Sequence, residues 1–184
     1  MTDRDSSRRD SRFSRAAAVF RERGGILRTA EAIQAGIHPD TLYTMRDSGS
    51  LEMISRGVYR LSSNSPLGNP DLVTVAIRVP GGVICLVSAL AFHELTTQIP
   101  HAVHLALPRG SEEPRLAYPP IKTYRFTGKA FTEGVEIHNL DGKNVRIYSP
   151  EKTLADCFKF RNRIGIDTAV EAIRFYRERT NTRV

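Results

Sequence analysis

The chain has 184 residues, 40% of them hydrophobic and 26% charged, which excludes a disordered chain and fits one large domain or two small ones. A formal net charge of +7 and a pI near 9.8 favour an anionic partner such as nucleic acid, because basic side chains near phosphates release condensed counterions. The longest apolar stretch, Val83 to Phe92, is broken by Ser88 and too short to cross a bilayer, and the N-terminus lacks the apolar core of a signal peptide. The expectation is a cytoplasmic protein without membrane contact.

Residues 1–10 are charged and Ser-rich and read as a flexible basic arm; contact of Arg8 and Arg9 with phosphate is one reading, and a tail with no specific role is the plainer one. Phe13, Ala16, Ala17 and Phe20 then recur at helical spacing, and Gly24-Gly25 end a first helix. Ile26-Leu27 are extended, Thr29 is placed to cap a second helix over Ala30–Ala35, and Gly36 closes it. A third helix starts near Pro39, whose missing N–H costs nothing in the first turn, and runs through Arg46 toward Gly49. Leu51–Ile54 and Val58–Leu61 read as a hairpin about Ser55-Arg56-Gly57. The Ser, Asn, Gly and Pro of residues 63–70 form a linker.

Beyond it, Asp71 is predicted to cap a helix through Val79, and Ser88 another through Leu95. Strands are expected at Val103–Leu107 and Ile121–Phe126, with a hairpin of Val135–Asn139 and Val145–Tyr148 about Asp141-Gly142. Ser149-Pro150-Glu151 starts a helix with apolar Leu154, Ala155 and Phe158 on one face. Asp167 caps the last helix, with Val170, Ile173 and Phe175 or Tyr176 inward. The fold class is therefore α+β: a winged helix-turn-helix over residues 11–62, followed by a mixed α/β C-terminal domain over 71–184.

Three short helices and a hairpin in about 50 residues, with the tight connection Ala35-Gly36-Ile37-His38-Pro39, point to double-stranded DNA as the partner. The third helix would enter the major groove, with Leu42 and Met45 inward and His38, Asp40, Thr41, Tyr43, Thr44 and Arg46 offered to bases or phosphates. Arg56 sits at the wing tip, and Arg28 and Thr29 stand where exposed N–H groups open the second helix. Each has a plainer role: Tyr43 as a core aromatic, Asp40 as a first-turn acid, His38 as a cap, Arg46 and Arg56 facing solvent. Docking of protein or RNA is the alternative use of such a domain.

The string Gly25-Ile26-Leu27-Arg28-Thr29-Ala30-Glu31-Ala32, with Ala35-Gly36-Ile37, Leu51-Glu52 and Arg56-Gly57-Val58-Tyr59-Arg60-Leu61, resembles the N-terminal domain of AbiEi-type antitoxins of type IV toxin–antitoxin and abortive-infection systems. The resemblance continues in Ser88-Ala89-Leu90, His93-Glu94-Leu95, the run Ser149 to Lys159, and Asn162 to Gly165. It implies a repressor that binds inverted repeats in its own promoter, and a second domain acting against a nucleotidyltransferase-like toxin without a stable complex. A palindromic operator implies pairing on DNA, and no coiled-coil seam is present, so a monomer in solution is expected.

No catalytic residue, metal or cofactor is expected. The nuclease-like echo of Pro70-Asp71 with Asp141-Gly142-Lys143 falls at a helix start and a hairpin turn. His101 and His104 are three apart, which on a strand places them on opposite faces. Cys85 and Cys157 lie among apolar residues, without metal-clip spacing. Lys152, Thr153, Asp156 and Lys159, beside Arg163, form a candidate antitoxin surface, the alternative being a solvated, charge-paired helix face.

Overall fold

The computed structural model describes residues 3–181, and the side chains of residues 9–180. It divides into two compact units, Met1–Pro70 and Asp71–Val184. Helices and sheets occur in both, an α+β composition.

The first unit runs α1 (Asp3–Glu22), β1 (Ile26–Arg28), α2 (Thr29–Gln34), α3 (Pro39–Asp47), β2 (Leu51–Ser55) and β3 (Val58–Leu61). The expected arm is helical from Asp3 onward, while Met1 and Thr2 lie outside the described residues. Once Ala16 and Phe20 pack inward, each residue added toward the N-terminus gains a backbone hydrogen bond, and no Pro or Gly interrupts. Two helices end in the same device. Gly25 N donates to Phe20 O and Gly24 N to Arg21 O after α1; Ile37 N donates to Ala32 O and Gly36 N to Ile33 O after α2. Each is a Schellman closure, with Gly24 (φ 82°) and Gly36 (φ 87°) in the left-handed conformation that it requires.

The three strands form an antiparallel sheet in the order β1-β3-β2, with Leu27 opposite Tyr59 and Leu51 opposite Leu61. The sheet and helices share a core of Phe20, Leu27, Ala32, Leu42, Met45 and Tyr59.

The second unit contains α4 (Pro70–Arg78), β4 (Val83–Ile84), α5 (Leu86–Phe92), β5 (Val103–Pro108), β6 (Ile121–Phe126), α6 (Lys129–Thr132), β7 (Val135–Leu140), β8 (Lys143–Tyr148), α7 (Pro150–Lys159), α8 (Arg161–Ile164) and α9 (Ile166–Asn181). Its five-stranded sheet has the order β6-β5-β4-β8-β7, parallel at β5–β6 and β4–β8 and antiparallel elsewhere. Asp141 (φ 51°) and Gly142 (φ 76°) make the expected turn of the β7–β8 hairpin.

Several local expectations change. α2 begins at Thr29 with Arg28 in the cap position, α4 begins at Pro70 with Asp71 in its first turn, and α9 begins at Ile166. Ser88 lies inside α5 rather than capping it, and its Oγ accepts from the buried His104 N at 2.9 Å, tying α5 to β5. On α7 the buried residues are Thr153, Asp156 and Cys157, while Phe158 is exposed. On α9 the buried positions are Thr168, Ala169 and Ala172, and Val170 remains 39% exposed. Small side chains on that face let α9 lie close against α7.

Candidate nucleic-acid interface

α3 is built to present one face. Pro39 occupies its first turn, and His38 caps it, Nδ1 accepting from Asp40 N at 3.3 Å. Leu42 and Met45 are buried to 0% and 1% exposure, which turns His38, Asp40, Tyr43 and Arg46 outward. Tyr43 is 43% exposed, so it is not a core aromatic. Thr41 and Thr44 are half-buried, and Thr44 Oγ1 donates back to Asp40 O at 2.6 Å, so its hydroxyl is engaged within the helix.

Arg46 is held from two sides. Its Nε and Nη2 donate to Asp47 Oδ1 at 2.8 and 2.7 Å, and its guanidinium carbon lies 5.4 Å from the Tyr43 ring centroid. This arrangement orients the planar fork along the helix surface before any ligand arrives.

The start of α2 and the hairpin tip are joined through one carbonyl. Thr29 N and Oγ1 both donate to Gly57 O, at 2.9 and 3.3 Å. Arg28 N donates to Glu31 Oε2 at 2.8 Å, satisfying one of the donors left open where α2 begins. Gly57 (φ 71°) makes the tip, and the register shifts between Met53 and Ser55, a bulge that twists β2. Arg56 is exposed at that tip.

In the second unit, Thr153 and Asp156 are buried and Lys152 is half-buried. Lys152 Nζ lies 2.7 and 2.8 Å from the two Asp156 carboxylate oxygens, and their side chains are only 16% and 6% exposed. The ammonium also stands 5.1 and 4.9 Å from the ring centroids of Phe126 and Tyr148. Burial raises the Asp156 pKa against the pull of Lys152. Thr153 Oγ1 donates to Tyr148 O. Only Lys159 and Arg163 of the five remain exposed, resting over Phe126 and Phe160 and over Tyr124 respectively.

Among the described residues no group of three or more His, Cys, Asp or Glu side chains is placed to hold a metal ion. His93 bonds Tyr148 O at 2.8 Å, and His138 meets Glu136 at 2.9 Å. His104 is buried against Tyr124, and that burial lowers its pKa to about 4. Cys85 and Cys157 are buried thiols, and burial pushes the Cys157 pKa up to about 12. Among the described residues no helix is long and apolar enough to cross a membrane.

Residues 14–62 match the AbiEi antitoxin family of transcriptional regulators. The match runs from within α1 to the end of the hairpin, and it bears out the resemblance read from the sequence over that segment. No curated protein matches the chain. Among solved structures, the RV2827C protein from Mycobacterium tuberculosis is similar in fold, with a TM-score of 0.57 at 16% identity over 80% of this chain. The chain spans 60% of the length of that protein.

Within the segment that matches the AbiEi family, then, α3 and the hairpin tip bring His38, Asp40, Tyr43, Arg46 and Arg56 to the exterior, while the hydroxyls of Thr29 and Thr44 bond the backbone. Sequence reasoning passed over Arg12 and Arg15. They lie on the exposed side of α1 and share a groove with His38 and Thr41. Their helical spacing to Ala16 was legible, but their neighbours across the groove come from a turn about 20 residues away.

Proposed function

We propose that the first unit is a winged helix-turn-helix that binds double-stranded DNA in sequence-specific fashion and represses its own operon. The observation that carries this reading is the division of α3: Leu42 and Met45 sealed in the core, and His38, Asp40, Tyr43 and Arg46 on the open side. A helix lodged in the major groove needs side chains of that kind outward, a guanidinium for guanine O6 and N7 and a carboxylate for cytosine N4. The β2–β3 hairpin is the wing, with Arg56 reaching backbone or minor groove. Arg28 meets phosphate beside the opening turn of α2, and Thr29 holds that turn to the wing. The family match supports the regulator class, and the basic net charge supports an anionic partner.

The second unit is read as the antitoxin domain, acting against a nucleotidyltransferase-like toxin without a stable complex. Its exposed candidates reduce to Lys159 and Arg163, because Thr153 and Asp156 are buried and Lys152 is half-buried against Asp156. The protein works in the cytoplasm as a monomer that pairs on an operator with inverted repeats, and without enzymatic activity.

A reporter driven by the chain's own upstream region tests the first half. The intact protein lowers expression, and Arg46→Ala and Arg56→Ala restore it at equal protein level; expression unaffected by the intact protein refutes autoregulation. Co-expression with a nucleotidyltransferase-like toxin tests the second half. Lys159→Ala/Arg163→Ala should weaken protection, and full protection by that variant removes those two residues from the antitoxin surface.

A further inference from the structure

We infer that α1 is part of the DNA interface, with Arg12 and Arg15 gripping the phosphodiester backbone of the duplex that α3 reads. The inference rests on the DNA-binding reading and adds to it a surface outside the helix-turn-helix and wing. A groove of about 420 Å³ separates α1 from the turn that leads into α3. Its floor is Ala16, Val19 and Ile37, its α1 rim is Arg12 and Arg15, and its far rim is His38 and Thr41, the first residues of the proposed recognition surface. Among the described residues no carboxylate lines it.

Helix geometry makes the rim one-signed. At 3.6 residues per turn, positions 12, 15, 16 and 19 fall within an arc of about 100°, whereas Asp10 is about 160° from Arg12 on the opposite side of the helix. The burial of Ala16 at 4% exposure fixes the rotation of α1, so both guanidinium stems emerge at the groove and Asp10 does not line it. Three residues of helix advance about 4.5 Å. Phosphates of one duplex strand follow a helical path with an axial rise of roughly 3.4 Å each, and two long, flexible side chains less than one helical turn apart reach neighbouring phosphates by extending.

An ordered helix also changes what these contacts contribute. The arginines are held on a packed element rather than on a free tail, so less freedom is lost when they meet the backbone. Phosphate contacts position a protein without reading sequence. Arg12 and Arg15 therefore set affinity and register, and α3 sets specificity.

The test is the salt dependence of binding, measured on the full chain with the upstream promoter duplex and a scrambled duplex of equal length. Arg12→Ala/Arg15→Ala should weaken both duplexes by the same factor and lower the slope of log K against log salt by about 1.8, at 0.9 per lost phosphate contact. A control, Arg174→Ala/Arg177→Ala, removes the same charge from exposed positions of α9 and should leave the slope unchanged. An unchanged slope in the α1 variant, or an equal fall in the control, overturns the inference while the DNA reading stands. A wild-type protein that binds neither duplex defeats both.

Discussion

Lys152 and Asp156 close an ion pair one turn apart on α7, Nζ lying 2.7 and 2.8 Å from the two carboxylate oxygens, with Asp156 buried and Lys152 half-buried. The pair sits on the rings of Phe126 and Tyr148, from β6 and β8, so the two charges are taken out of water among aromatic side chains. Burial raises the Asp156 pKa although Lys152 pulls it down, which means that desolvation outweighs the attraction within the pair.

Two substitutions at this pair should therefore act in opposite senses. Asp156→Ala leaves the buried ammonium without its counter-charge and is expected to cost about 3–5 kcal/mol of unfolding free energy. Lys152→Met/Asp156→Leu, which fills the same space with apolar groups, should be at least as stable as wild type. Urea unfolding of the three proteins decides it; equal losses in the single and double variants would contradict the account.

His104 should give the protein an acid-sensitive window. Its folded pKa is lowered to about 4, chiefly by burial, from 6.5. With the folded value depressed, the neutral ring's contribution is fully present above 6.5 and is lost as pH falls toward 4, because the unfolded chain takes up the proton first. The difference is worth on the order of 3 kcal/mol. Unfolding midpoints measured from pH 7 to 5 should fall more steeply in wild type than in His104→Asn. Parallel curves would show that another group governs the window.

Two left-handed positions carry opposite predictions. Gly57 has φ 71°, and a Cβ there would stand 3.3 Å from Thr29 Oγ1, so Gly57→Ala should destabilise the first unit by about 1 kcal/mol or more. Glu94, at φ 59°, closes α5 in the Schellman position that glycine normally fills, with Leu95 N donating to Leu90 O. Glu94→Gly should stabilise by about 0.5–1 kcal/mol. Thermal midpoints measure both, and a shift of the same sign in the two variants would contradict the backbone argument.

What the sequence made legible was local. Gly36 and Ile37 announced the turn between α2 and α3, Leu42 and Met45 the inner face of α3, and Arg56-Gly57 the hairpin tip, because each depends on neighbours within a few residues. Asp156 was not legible. A lysine four residues before an aspartate reads as a solvated pair, and only the strands β6 and β8 passing under α7 put it inside. On α9, Phe175 and Tyr176 pack against the core as expected, but Val170 does not: it is the better hydrophobe, yet the close approach of α7 selects Ala169 and Ala172. Arg12 and Arg15 became part of a groove only when the α2–α3 turn folded against α1.

The most direct measurement is the affinity of the purified chain for its own promoter fragment against a scrambled duplex at fixed salt, with Arg46→Ala alongside. The wild-type protein should prefer the promoter. Arg46→Ala should lose about 1–3 kcal/mol of that preference, the value of one bidentate base contact, while its binding to scrambled DNA changes less. Equal, weak binding to both fragments by the wild type would contradict a sequence-reading α3 and leave the first unit to be pursued as a docking module for protein or RNA.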